Sequence, residues 1–171
     1  TVTRQVNSTL IIGDVLEKTL YAAIVALEFD MGLITLRNPE NDVLEVQAAY
    51  GFDQAAVVEM KRNGLAGTSC EHVHTVQDPL SIGDLARDST ELVKYQPELT
   101  AVLQNLNDLD VRAYSGIPLM HRGESMGSLC LYAKRPRSLN LDELSLQMTI
   151  GQQIATALAN AELYDQTRRQ L

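Results

Sequence analysis

Apolar positions open the chain as a helical stripe. Val6, Leu10, Gly13, Leu16, Leu20, Ile24 and Leu27 recur at steps of three and four, which predicts a helix within residues 1–28. The period then shortens. Met31–Leu36 and Val43–Tyr50 are β-rich runs on either side of the turn formers Asn38-Pro39-Glu40-Asn41-Asp42, so they read as an antiparallel hairpin. Asp53 stands where it can cap a short helix reaching about Arg62, and Asn63-Gly64 ends that helix. From Gly64 to Asp110 the pattern weakens into polar residues broken by Gly and Pro, which predicts loops with short helices, one of them near Glu98–Leu106.

Periodicity returns between Arg112 and Ala133, where two apolar runs flank a polar turn around Arg122-Gly123 and form a second hairpin. Its strands are apolar on both sides, with Leu129 and Leu131 on one face and Cys130 and Tyr132 on the other, so both faces of the sheet need cover. Terminal helices on one face and the irregular middle segment on the other satisfy that need. A cavity between sheet and lid is then expected.

The last helix is expected over 141–171, with Asp142 at its N-cap and Glu143 in its first turn. It carries two apolar stripes. Ile150, Ile154, Ala157, Ala161, Tyr164, Arg168 and Leu171 form one; Leu144, Met148, Gly151, Ala155 and Leu158 form the other. The two stripes are either one broad core face or a core face beside a seam for a second subunit. On the second reading Ile150, Ile154, Ala157, Ala161 and Tyr164 make a homodimer interface.

Composition narrows the function classes. A chain of 171 residues, 45% hydrophobic, builds a core without staples, and its apolar runs are too short to insert in a membrane. A formal net charge of −8, with basic residues grouped only at Lys134-Arg135-Pro136-Arg137 and Arg168-Arg169, argues against nucleic acid as a partner. A cytoplasmic location is the expectation. Two cysteines, Cys70 and Cys130, make neither a disulfide scaffold nor a Cys-rich zinc site. Cys70, His72 and His74 cluster in Thr68-Ser69-Cys70-Glu71-His72-Val73-His74, but a metal would have to recruit His121 or a distant carboxylate, so no metal is expected. No Ser/His/Asp set or phosphate-binding loop is visible, and no catalytic residue is assigned. Cys130, in mid-strand, reads as a small buried apolar residue.

A series of landmarks occurs in order: Gly32-Leu33-Ile34-Thr35-Leu36, Ala48-Ala49-Tyr50-Gly51-Phe52, Gly64-Leu65-Ala66-Gly67 and Pro79-Leu80-Ser81-Ile82-Gly83-Asp84-Leu85. These are followed by Pro118-Leu119, Gly123-Glu124-Ser125-Met126-Gly127, and Gln153-Ile154-Ala155 through Asn160-Ala161-Glu162-Leu163-Tyr164. Together they resemble a GAF domain, the PAS-related small-ligand sensor of signalling proteins. The resemblance implies one α+β domain over 1–171: a central antiparallel sheet of about five to six strands, terminal helices on one face and a ligand lid on the other. It also implies a segment of a longer protein whose last helix leads to an output domain in cis, such as a histidine kinase or cyclase.

By strand parity and family position the ligand-lining candidates are Tyr50, Tyr114, Ser115 and Tyr132, with Asp84 and Cys70 from the lid. Asp84 has a second reading, as the cap of Leu85-Ala86-Arg87. The family's cofactor branches match less well. Bilin-binding members carry Cys followed by His, whereas Glu71 follows Cys70 and Leu131 follows Cys130, so no covalent bilin is expected. The Asn-Lys-Phe-Asp-Glu motif of cyclic-nucleotide binders is absent, and the cysteine pattern of the free methionine sulfoxide reductase branch is not reproduced. The leading expectation is a sensor that binds an unidentified small molecule non-covalently. The alternatives are a ligand-free dimerisation scaffold and a reductase of that branch.

Overall fold

The structure, a computed structural model, describes the backbone over residues 2–170 and side chains over 12–161. Five strands form an antiparallel sheet in the order β2-β1-β5-β4-β3, where β1 is Met31–Arg37, β2 Leu44–Tyr50, β3 Leu80–Ile82, β4 Ala113–His121 and β5 Glu124–Ala133. Both expected hairpins form. Arg122 and Gly123 take positive φ in the β4–β5 turn, the conformation that lets two long strands reverse directly.

The alternation along β4 and β5 sorts side chains into two cores. Leu129, Leu131, Ile117 and Leu119 meet Leu16, Leu20, Ile24 and Leu27 of α1 (Val2–Leu27) and Ile154, Ala155 and Leu158 of α6 (Leu141–Gln170). Gly151 lets α6 approach β4 closely: a Cβ there would lie 2.6 Å from Ile117 Cδ1, so that side-chain end would have to shift. Cys130, Tyr132 and Tyr114 meet the other layer: α3 (Ser69–Val76), α4 (Leu85–Tyr95), a 3₁₀ turn at Pro97–Leu99 and α5 (Thr100–Asp108). The short helix α2 (Gln54–Asn63) follows β2, capped as expected by Asp53, whose carboxylate accepts from Ala56 N at 2.7 Å.

Three expectations need correction. The cap of α6 is Asn140 and not Asp142: Asn140 Oδ1 accepts from Glu143 N at 2.8 Å and Glu143 Oε1 accepts from Asn140 N at 3.1 Å, a reciprocal capping box that starts the helix at Leu141. The middle segment is more helical than its pattern predicts, since α3 and α4 join the helix expected near Glu98–Leu106. The apolar stripes of α6 also divide differently. Ile154 is 3% exposed within its own chain's core and Ile150 packs against that core, while Ala157 is exposed and Ala161 half-buried. Ile154 therefore packs within its own chain's core. The Tyr164 side chain lies outside the described residues, as do those of Arg168 and Leu171.

Candidate functional site

Tyr114, Tyr132, Cys130 and Cys70 converge at the centre of the lid face, each no more than 1% exposed. Register explains the convergence. Tyr114 stands opposite Tyr132 and Gly116 opposite Cys130, and the Tyr114 ring runs along its strand over Gly116, where any Cβ would collide with the Tyr114 hydroxyl. That hydroxyl thereby reaches Cys130 Sγ at 3.1 Å. Cys70 descends from the first turn of α3 to hydrogen-bond the Tyr132 hydroxyl at 3.2 Å, in the same buried cluster as the Cys130 thiol. The Cys130 thiol continues to Ser128 Oγ at 3.6 Å, and Ser128 Oγ meets Thr35 Oγ1 of β1 at 2.5 Å. Aromatic edges close the sides, with ring centroids 5.3 Å apart for both Tyr114–Tyr132 and Phe52–Tyr132.

The arrangement is a buried polar chain crossing β4, β5 and β1 under a helix terminus. Burial in low dielectric pushes both tyrosine hydroxyls and the Cys130 thiol well above their ordinary ionisation range. Cys70 moves the opposite way: the hydrogen bond from Cys130 lowers it most, burial opposes, and the Tyr132 hydroxyl lowers it further. One member is unsatisfied, since Ser69 Oγ is buried without a partner in hydrogen-bond geometry, beside the Tyr114 hydroxyl.

The other three candidates lie elsewhere. Tyr50 is 45% exposed and stacks edge-on against Tyr21 of α1, centroids 5.1 Å apart. A bulge causes this: the β1–β2 register steps from Ile34↔Ala48 to Thr35↔Val46, skipping Gln47, so Leu44 and Val46 face the lid while Ala48 and Tyr50 face the terminal helices. Ser115 follows Tyr114 in an extended strand and so points to the opposite face. Its Oγ donates to Gln147 Oε1 of α6 at 2.6 Å, and Gln147 Nε2 donates back to Ser115 O at 3.0 Å. Asp84 is the cap of α4, accepting from Ala86 N at 3.1 Å, Arg87 N at 3.4 Å and Arg112 Nη2 at 3.0 Å, and the Arg112 guanidinium holds its carboxyl below the usual range.

Sequence reasoning missed Ser128, Thr35, Ser69 and the polar role of Cys130. Ser128 and Cys130 share a face with Tyr132 by simple alternation, so strand parity carried that signal. Thr68-x-x-Glu71 was the missed sign of α3: Thr68 Oγ1 accepts from Glu71 N at 3.4 Å, as at the start of a capping box. The helix separates the two histidines, and His74 Nδ1 pairs with Ser125 Oγ at 2.6 Å. Among the described residues no three His, Cys, Asp or Glu side chains gather as a metal-ligand set, and no helix is long and apolar enough to cross a membrane.

One residue joins the two terminal helices. Arg137 Nη2 donates to Leu27 O, the end of α1, at 2.9 Å, and pairs with Glu143 in the first turn of α6. Its guanidinium lies 5.8 Å from the Phe29 ring centroid and keeps the Glu143 carboxyl low.

Comparison with solved structures agrees with this architecture. A domain assigned to a two-component sensor histidine kinase from Sinorhizobium meliloti superposes with a TM-score of 0.67 at 20% identity, over 92% of this chain and 96% of that one. The PixJ GAF domain of Thermosynechococcus elongatus, in its blue-light absorbing form, gives 0.66 at 17% identity over 96% and 94%. The type II free methionine-R-sulfoxide reductase of Thermoplasma acidophilum gives 0.64 at 12% identity over 87% and 93%. A search of curated proteins by sequence returns no match. The GAF domain profile matches residues 12–158, and with the two-faced sheet and its helical lid this establishes that the chain belongs to the GAF domain family, commonly a sensory signalling module.

Proposed function

We propose that this domain senses a small molecule held non-covalently beneath the lid and reports through α1 and α6 to an output domain in the same polypeptide, as a homodimer paired through those helices. One observation carries the reading. Tyr114 belongs to the buried polar chain, and its neighbour Ser115 is hydrogen-bonded to Gln147 of α6, so input and output groups are adjacent on one strand. A ligand that parts α3 from β5 and takes the Tyr114 and Tyr132 hydroxyls displaces β4, and the Ser115–Gln147 bond delivers that displacement to α6. Arg137, holding the end of α1 to the start of α6, makes the two helices answer together. The transmitted change is limited to the ligand's differential affinity for the two helix poses.

A metabolite screen by thermal shift tests this, since any ligand of the folded state raises the melting temperature. Tyr114→Phe is expected to weaken a hit about tenfold, the value of one hydrogen bond. Gln147→Leu is expected to preserve binding and erase the ligand-induced change in amide exchange along α6. The scaffold reading rests on the fact that the polar tips of the site bond to one another. A stable dimer that no compound stabilises, or hits indifferent to Tyr114→Phe and Tyr132→Phe, would favour it.

A further inference from the structure

Cys70 and Cys130 come from elements of different kinds, 60 positions apart, and both thiols are buried in the cluster where α3 rests on β5. A plain core would place methyl groups there. Instead each sulfur also bonds a tyrosine hydroxyl, 3.2 Å from Cys70 to Tyr132 and 3.1 Å from Cys130 to Tyr114, and because those tyrosines stand opposite each other on β5 and β4 both sulfurs are held in one polar cluster. The hydroxyl released if Cys130 turns toward Cys70 has a replacement beside it, because Ser69 Oγ is buried and unpartnered next to Tyr114.

We propose that Cys70 and Cys130 are a modification site, a dithiol that hydrogen peroxide oxidises reversibly to an intramolecular disulfide pinning the lid helix α3 to strand β5. The Cys70 sulfur attacks one peroxide oxygen, the O–O bond breaks, and the departing hydroxide takes the thiol proton and leaves as water, giving a sulfenic acid. The Cys130 sulfur then attacks Cys70 sulfur, the S–O bond breaks, and its hydroxide leaves as a second water with the Cys130 proton. Two electrons pass from the thiols to the peroxide, and any external dithiol returns them. Cys70 is the attacking sulfur because the Tyr132 hydroxyl stands 3.2 Å from it and its thiol is held below the ordinary range, whereas burial pushes the Cys130 thiol up. Both sulfurs are buried, so oxidation proceeds through local opening of α3, and the closed disulfide then opposes that same opening. This bond does not depend on the ligand proposed above. Its consequence for that ligand, exclusion from beneath a locked lid, does.

The purified domain treated with hydrogen peroxide, quenched by alkylation and digested is expected to lose about 2 Da, to yield a Cys70–Cys130 linked peptide, and to recover both thiols with dithiothreitol. Amide exchange across residues 69–76 is expected to slow in the oxidised form. Cys70→Ala and Cys130→Ala should each abolish the mass loss while circular dichroism reports a folded domain, and Cys130→Ala should leave a dimedone-reactive sulfenic acid at Cys70. Two thiols still alkylatable after treatment, including in urea below the unfolding transition where α3 opens, would overturn the proposal. So would stable sulfinate at Cys70, or disulfides formed only between molecules.

Discussion

On the helix face Ile117, Leu119, Leu129 and Leu131 meet α1 and α6 through aliphatic contacts, with the Ser115–Gln147 pair as a polar bridge; on the lid face the intervening residues of the same strands, Tyr114, Ser128, Cys130 and Tyr132, meet α3 through hydroxyls and thiols. The two faces respond to disturbance differently. An aliphatic contact can only be kept or lost, whereas a hydrogen-bonded group can exchange partners at small net cost, provided the new partner is in place. Both faces also rest on aliphatic cores, so the difference is local: the Tyr114–Cys130 cluster on the lid face has alternative partners in place, whereas the contacts of Ile117, Leu119, Leu129 and Leu131 have none.

The largest expected effect breaks the helix face. Ile154→Glu buries an unpaired carboxylate and should cost roughly 3–5 kcal/mol, a large share of a domain's total stability, so thermal melts should show loss of the cooperative transition. Ala157→Glu, three positions on and exposed, should leave the melt within about 0.5 kcal/mol and shift any α6-mediated dimer toward monomer in light scattering. If both variants melt alike, Ile154 does not sit in the core.

An intermediate effect compares the polar bridge with the polar chain. Gln147→Leu strips partners from Ser115 Oγ and from the carbonyls of Ser115 and Leu129, and should cost about 1–3 kcal/mol in urea unfolding. Tyr114→Phe should cost nearer 1 kcal/mol, because Cys130 keeps Ser128 as a partner. A larger loss for Tyr114→Phe would mean that the lid face is as rigid as the helix face.

The smallest effect is a pH dependence. His74 is held below the ordinary imidazole value of 6.5, first by burial and then by the Arg37 charge, with Asp42 and Glu71 opposing. Its folded pKa being depressed, its contribution to stability is fully present above pH 6.5 and is lost as pH falls through the folded value, where the unfolded chain binds the extra proton. Melting temperatures across that window should fall with pH, and should fall less in His74→Gln.

The sequence made the strands legible because both hairpins have strong turn formers between apolar runs, and it made the two-sided burial legible because Leu129 and Leu131 alternate with Cys130 and Tyr132. The lid helices were harder to read. Ser69–Val76 carries β-branched and histidine residues of poor helix propensity, and packing of Cys70 and Val73 on the sheet overrides that preference.

Of the six candidate residues, the structure brings Cys70, Tyr114 and Tyr132 into one cluster and places Tyr50, Ser115 and Asp84 elsewhere. Ser115 could have been assigned from parity alone, since neighbours in a strand face opposite ways. Tyr50 could not. A single skipped residue at Gln47 reverses the facing of everything beyond it, and nothing local in Leu44–Tyr50 announces the bulge. Local chemistry, which determines caps, turns and periods, is thus written along the chain. The contact between Cys70 and Cys130 was decided by tertiary structure, because it depends on where α3 lands on the sheet, and that landing is set by the summed packing of two cores rather than by either residue's neighbours.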